Sequence, residues 1–90
     1  MNFGEVIEAM KKDPSKHFAR KGWNGKGYFI YFTPGHTVKA EDWTAPEECV
    51  RNGSVTVLGH IDCRQGDGTV VIGWNPWLPD LLAEDWEEVI

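Results

Sequence analysis

Apolar residues at Phe3, Val6, Ile7 and Met10 fall at i, i+3, i+4 and i+7, which places one stripe along the face of an α-helix. Asn2 stands three residues before Glu5, the spacing of a capping box that starts such a helix. Asp13-Pro14-Ser15 ends it, because proline has no N–H to donate and disfavours helical geometry in the residue before it. Residues 16–23 alternate loosely and read as a strand. Asn24-Gly25-Lys26-Gly27 reads as a hairpin turn, since Asn-Gly supports the positive φ angles such turns need. Tyr28-Phe29-Ile30-Tyr31-Phe32 has strong β propensity and reads as a second strand buried on both faces. Pro34-Gly35 breaks that strand, and 36–53 carries so little pattern that it reads as a long surface excursion. Val55 to Arg64 resumes as a strand, Gln65-Gly66-Asp67-Gly68 turns the chain, and Thr69 to Trp74 returns antiparallel. Pro76 and Pro79 bracket an irregular stretch, Asp80 to Glu84 forms a short helix, and Trp86 to Ile90 closes as a last strand. The expected fold class is α+β: an N-terminal helix packed on a twisted antiparallel β-sheet, with a short C-terminal helix before the last strand. Residues 1–90 are expected to form a single domain.

Charge narrows the function classes. The 90 residues carry a net charge of −5, which argues against general affinity for nucleic acid or an anionic membrane surface. The basic residues nevertheless gather early, at Lys11, Lys12, Lys16, Arg20, Lys21 and Lys26, while the acidic ones lie mostly in the second half. Five tryptophans, four phenylalanines and two tyrosines exceed what so small a core needs, so aromatic area is left for a pocket or an interface. Cys49 and Cys63 have no CxxC spacing and read as two free thiols in a reducing compartment. No apolar run approaches the length of a membrane span and nothing resembles a targeting segment, so the expectation is a soluble, cytoplasmic protein.

The densest chemistry lies in Ala19-Arg20-Lys21-Gly22-Trp23-Asn24-Gly25-Lys26-Gly27. A hairpin tip built this way brings backbone, an aromatic face and positive charge together, which suits a planar, anionic ligand such as a nucleotide. Each residue also has a plain structural use. Trp23 either stacks on a base or covers one end of the sheet. Strand alternation sends Arg20 and Lys21 to opposite faces, with Lys21 on the Trp23 side. Arg20 then reaches a pyrophosphate across a protomer boundary or remains a solvated strand charge. Asn24 reads a ribose or base edge, or simply makes the turn. Lys26 meets a phosphate or stays in solvent.

Near the C-terminus, Trp74 and Trp86 frame a second aromatic cluster, and for Trp86 a core or interface role competes with stacking. Asp80 and Asp85 can accept from an adenine amino group or a ribose, with helix N-capping the stronger use of Asp80. Phe3 joins this candidate set from the helix start, where core or interface packing competes. His60 and Asp62 share one strand face, a weak signal for acid–base or metal chemistry, and His17 and His36 lie on other elements. No HExxH, Walker or Ser-His-Asp pattern supports catalysis, so the expectation is a protein that is not an enzyme and needs no cofactor or metal. A structural or protein-binding module that uses exposed tryptophans is the alternative, with a small hydrolase ranked behind it.

Four segments occur in family order: Asn2-Phe3-Gly4-Glu5-Val6-Ile7-Glu8-Ala9-Met10, the run ARKGWNGKG, Asp67-Gly68-Thr69, and Leu82-Ala83-Glu84-Asp85-Trp86. Together they resemble the small phage and prophage proteins of the Thoeris anti-defence 2-like family. The resemblance covers the first and last thirds of the chain well and the middle poorly. It implies a sponge that holds a cyclic ADP-ribose signal made by a TIR protein, so that the immune effector is never switched on. It also implies capture of cyclic dinucleotides by some members, and a homo-oligomer, typically a tetramer, with ligand pockets between protomers in the host cytoplasm. On this reading Phe3, Arg20, Lys21, Trp23, Asn24, Lys26, Trp74, Asp80, Asp85 and Trp86 form the ligand-binding set. One stretch departs from the family: Trp74-Asn75-Pro76-Trp77-Leu78-Pro79-Asp80 has Trp77-Leu78 where members often carry Ser-Gln after the proline.

Overall fold

A computed structural model describes residues 1–23 and 26–90, so the turn expected at Asn24-Gly25, and with it the Asn24 candidate, lies outside the described residues. The first helix, α1, spans Phe3–Lys12. Its start is a reciprocal capping box in which Glu5 N donates to Asn2 Oδ1 at 2.8 Å and Asn2 N donates to Glu5 Oε1 at 2.9 Å. Two of the four backbone donors that a helix start leaves unpaired are thereby satisfied. Lys11 and Lys12 in the last turn complement the negative end of the helix. Asp13 then closes the exit by accepting from Ser15 N at 3.1 Å and Ser15 Oγ at 2.6 Å.

Seven strands follow among the described residues: β1 (His17–Arg20), β2 (Phe29–Thr33), β3 (His36–Lys39), β4 (Ser54–Val57), β5 (His60–Arg64), β6 (Val70–Val71) and β7 (Trp86–Val89). Five of them form an antiparallel sheet in the order β6-β5-β2-β1-β7. Phe18 sits opposite Ile30, and Ile30 opposite Cys63, which lines the three up across one face. With Trp86 and the α1 residues Phe3, Val6 and Met10 they form the buried cluster of the molecule. The class is mixed α+β, with one helix at the N-terminus and a second, α2 (Leu78–Leu82), shortly before the last strand.

Several local expectations are corrected. The first strand stops at Arg20, and Lys21–Trp23 winds as a short 3-10 turn, so alternation does not set the directions of Lys21 and Trp23. Of the second strand only Ile30 is fully buried. On its other face Phe29 is half-buried, with His17 stacked at 4.4 Å and the Arg64 guanidinium 5.7 Å from the ring centre. The stretch 36–53 is not a patternless excursion: it supplies β3, which pairs with β4 as a separate two-stranded sheet. Residues 55–64 are not one strand, because Leu58-Gly59 carries the chain from that small sheet into the large one. The return after Gly68 pairs only at Val70 and Val71. Finally, α2 starts two residues before Asp80, with Pro79 in its first turn, where a missing N–H costs nothing.

Candidate functional site

The site grows from the end of β1. Arg20 there faces Trp86 across the β1–β7 ladder, and one step on Lys21 N donates to Asp85 O at 3.2 Å. The Arg20 guanidinium spans two carboxylates. Nε donates to Asp85 Oδ1 at 2.9 Å and Nη1 to Asp80 Oδ1 at 3.0 Å, with Nη2 3.5 Å from Asp85 Oδ2. The paired carboxylates push the guanidinium pKa up, and the hydrogen bond from Arg20 holds the Asp85 carboxyl below its usual range. Asp80 is buried and also holds the aromatic cluster, since Trp86 Nε1 donates to its main-chain oxygen at 2.9 Å.

Trp86 is the hub of that cluster. Trp23 meets it edge-on at 5.1 Å, Trp74 at 6.3 Å, and Phe3 lies tilted at 5.4 Å. Trp23 and Trp74 are themselves edge-on at 6.0 Å. These edge-to-face contacts suit the quadrupoles of the rings and fix their mutual angles. Trp86 is only 2% exposed, so its faces are spent inside the protein, whereas Trp23 and Trp74 remain half-buried.

The two half-buried indoles line an open cleft of about 340 Å³ together with Lys26, Tyr28, Cys63 and Gln65. Lys26 N donates to Trp23 O at 3.0 Å, which ties the lysine's backbone to the tryptophan's. Burial pushes the Cys63 thiol pKa up, so that side of the cleft is neutral at physiological pH. A cleft of this size has the volume of a small-molecule pocket. It offers two aromatic walls, a cation at the rim, and the amide of Gln65 as donor and acceptor.

The candidate residues therefore divide. Trp23, Lys26 and Trp74 come together around the cleft, and exposed Lys21 adjoins Trp23 in the 3-10 turn. Arg20, Asp80 and Asp85 form the ion-paired group behind it, and Phe3 and Trp86 belong to the buried core. Asp80 is not the N-cap of α2, since that position is Trp77. Tyr28, Cys63 and Gln65 were missed as site residues. Only the strand register brings two of them together: Phe29 pairs with Arg64, which places Tyr28 and Gln65 next to each other just beyond the paired ends of β2 and β5.

On the far side of Trp74 a second cavity of about 390 Å³ is mostly apolar, bounded by Ile7, Met10, Phe32 and Ile61 with His60 and Lys11. His60 Nε2 lies 3.3 Å from Asp62 Oδ1. Asp62 is buried and already accepts from Thr33 Oγ1 at 2.6 Å and Gly73 N at 3.0 Å, so it anchors the bend that leads into Trp74. His17 stacks on Phe29, and His36 Nδ1 sits 3.0 Å from Pro34 O. Among the described residues no group of three His, Cys, Asp or Glu is placed to hold a metal. No helix among them is long and apolar enough to cross a membrane.

Comparison with known proteins finds matches over nearly the whole chain. The profile of the Thoeris anti-defense 2-like domain matches residues 1–89. The chain is also similar to a protein named Thoeris anti-defense 2 from Bacillus phage SP01. The two are 29% identical over 89 residues, a span of 99% of this chain and 94% of the phage protein.

Proposed function

The chain belongs to the Thoeris anti-defense 2-like family, and from that premise we propose that it is a phage anti-defence protein that captures a cyclic nucleotide signal and does not convert it. The ligand class is glycocyclic ADP-ribose made by a TIR protein, with cyclic dinucleotides as a further class. The observation that carries this reading is the cleft walled by Trp23 and Trp74 with Lys26 at its rim. A base stacks on the exposed face of one of these edge-on indoles, and the pyrophosphate meets Lys26 and Lys21, where charge-assisted hydrogen bonds are strongest. The cleft is open, and a second protomer of a homo-oligomer, a tetramer on the family pattern, covers the remaining ligand face. Sequestration needs slow release and no turnover, and excluding water from both faces of a base slows release. The protein acts in the host cytoplasm, where the signal is made.

Calorimetric titration with glycocyclic ADP-ribose, followed by heat release and chromatography, tests the proposal. Tight binding with the nucleotide recovered intact supports capture, and a chemically altered product refutes it. Trp23→Ala should weaken binding by about 5- to 150-fold, the equivalent of losing about 1–3 kcal/mol of base stacking. Undiminished affinity in that variant removes Trp23 from the site. A second reading, a protein-binding module, draws on Trp77, which is 72% exposed beside exposed Leu78 and Leu82. It predicts no heat with any cyclic nucleotide.

A further inference from the structure

We propose that Arg20, Asp80 and Asp85 are positioning residues of the capture cleft: they make no contact with the ligand and instead fix the turn that presents Trp23. The inference rests on the capture reading for its binding test, and on the free protein for its second test.

Three observations carry it. First, the guanidinium is already occupied, with Nε and Nη1 on two different carboxylates at 2.9 and 3.0 Å. Second, the group holds one positive charge against two negative ones, so it does not draw in an anionic phosphate. Lys21 and Lys26 are the exposed cations on the Trp23 turn, and neither has an ion-pair partner among the described residues. Third, the group stands where β1 becomes the 3-10 turn. Asp85 holds Arg20 by its side chain and Lys21 N by its main chain, at 3.2 Å. Asp80 likewise holds Arg20 by its side chain and the Trp86 indole by its main chain, at 2.9 Å. Trp23 leans edge-on against that same indole at 5.1 Å. The angle of one cleft wall is thus set by a planar fork gripped from two directions. A lysine cannot reproduce that grip, because its ammonium is a point charge without the fixed geometry.

The two roles for Arg20 predict opposite signs. If Arg20 met the ligand, removing a competing carboxylate would free it, and Asp85→Asn would tighten anion binding. If it positions the turn, Asp80→Asn and Asp85→Asn both weaken glycocyclic ADP-ribose binding by about tenfold, despite removing negative charge near the site. Arg20→Lys then loses as much as Arg20→Gln, and neither changes how steeply affinity falls with salt, whereas Lys26→Gln makes that dependence shallower. Tighter binding in either aspartate variant, or rescue by Arg20→Lys, overturns the proposal. The ligand-free test uses ¹H–¹⁵N indole signals. The Asp85→Asn variant should shift the Trp23 and Trp86 signals and leave Trp77 unmoved. A Trp23 signal unchanged in a folded Asp85→Asn protein overturns the proposal whatever the ligand proves to be.

Discussion

Replacing Trp86 by phenylalanine removes an indole N–H and one ring from the centre of the molecule. The indole is 2% exposed and donates its N–H to Asp80 O at 2.9 Å. Losing a buried hydrogen bond whose acceptor stays in place costs about 1–3 kcal/mol. The void left by the missing ring adds about 1 kcal/mol. The total of about 2–4 kcal/mol compares with about 5–13 kcal/mol for the whole stability of a chain this long. At about 4–8 °C per kcal/mol, Tm should fall by about 8–32 °C. The same substitution at Trp77, 72% exposed, changes neither a hydrogen bond nor a buried contact and should stay within about 0.5 kcal/mol. Thermal melts of the two variants by circular dichroism, at equal protein concentration, make the comparison. Similar Tm shifts in the two, or a Trp86→Phe shift of only a few degrees, would refute the assignment of Trp86 to the core. They would return its faces to the list of surfaces free to meet a ligand.

Thiol titration should separate the cysteines: exposed Cys49 reacts at once with a disulfide reagent, while buried Cys63 at the floor of the cleft, its pKa pushed up by burial, reacts far more slowly. Asp85 carries the acid dependence. Its native pKa is depressed, chiefly by the hydrogen bond from Arg20, so its contribution is present above the ordinary carboxylate range near about pH 3.9 and is lost as pH falls through the lower native value. Melts across that window should show a shallower acid loss in Asp85→Asn than in the parent. Gly66→Ala should destabilise by about 1–3 kcal/mol although the position is exposed, because the new Cβ would stand 2.5 Å from the Lys26 carbonyl oxygen. A melt unchanged by that substitution would show that the two turns do not approach so closely.

Legibility followed the range of the interactions. The α1 helix is readable because its cap, stripe and stop are all local: Asn2 and Glu5, Phe3 to Met10, Asp13-Pro14. The β2 strand is readable because its residues favour strands whatever they pair with. The β3 strand is not, since one half-buried Val38 among His36, Thr37 and Lys39 has no pattern until its partners at 54–57 are known. The switch of sheets at Leu58-Gly59 is hidden for the same reason: a run of strand formers does not say which sheet it joins. At the site, the indoles and Lys26 were visible as residue types. That Arg20 is held by Asp80 and Asp85 was not, because 60 and 65 residues of chain separate the partners. Gln65 and Tyr28 needed the β2–β5 register, which no local pattern contains.

The small sheet of β3 and β4 leaves the molecule and returns to it at nearly one point. Thr33 and His60 are paired neighbours, and a Cβ on Gly35 would lie 3.3 Å from the Gly59 amide nitrogen. No residue from 34–59 belongs to the buried cluster or to those packed against it, and none lines the Trp23–Trp74 cleft. In topological terms β2 and β5 are one hairpin with a decorated loop. Exchanging 34–59 for a two-residue Asn-Gly turn would keep the register and all five main strands. Loop length is cheap in free energy, about 0.6 kcal/mol per doubling. The arm is therefore a port in the architecture, where sequence can be inserted, exchanged or erased while the sheet and its cleft stay the same.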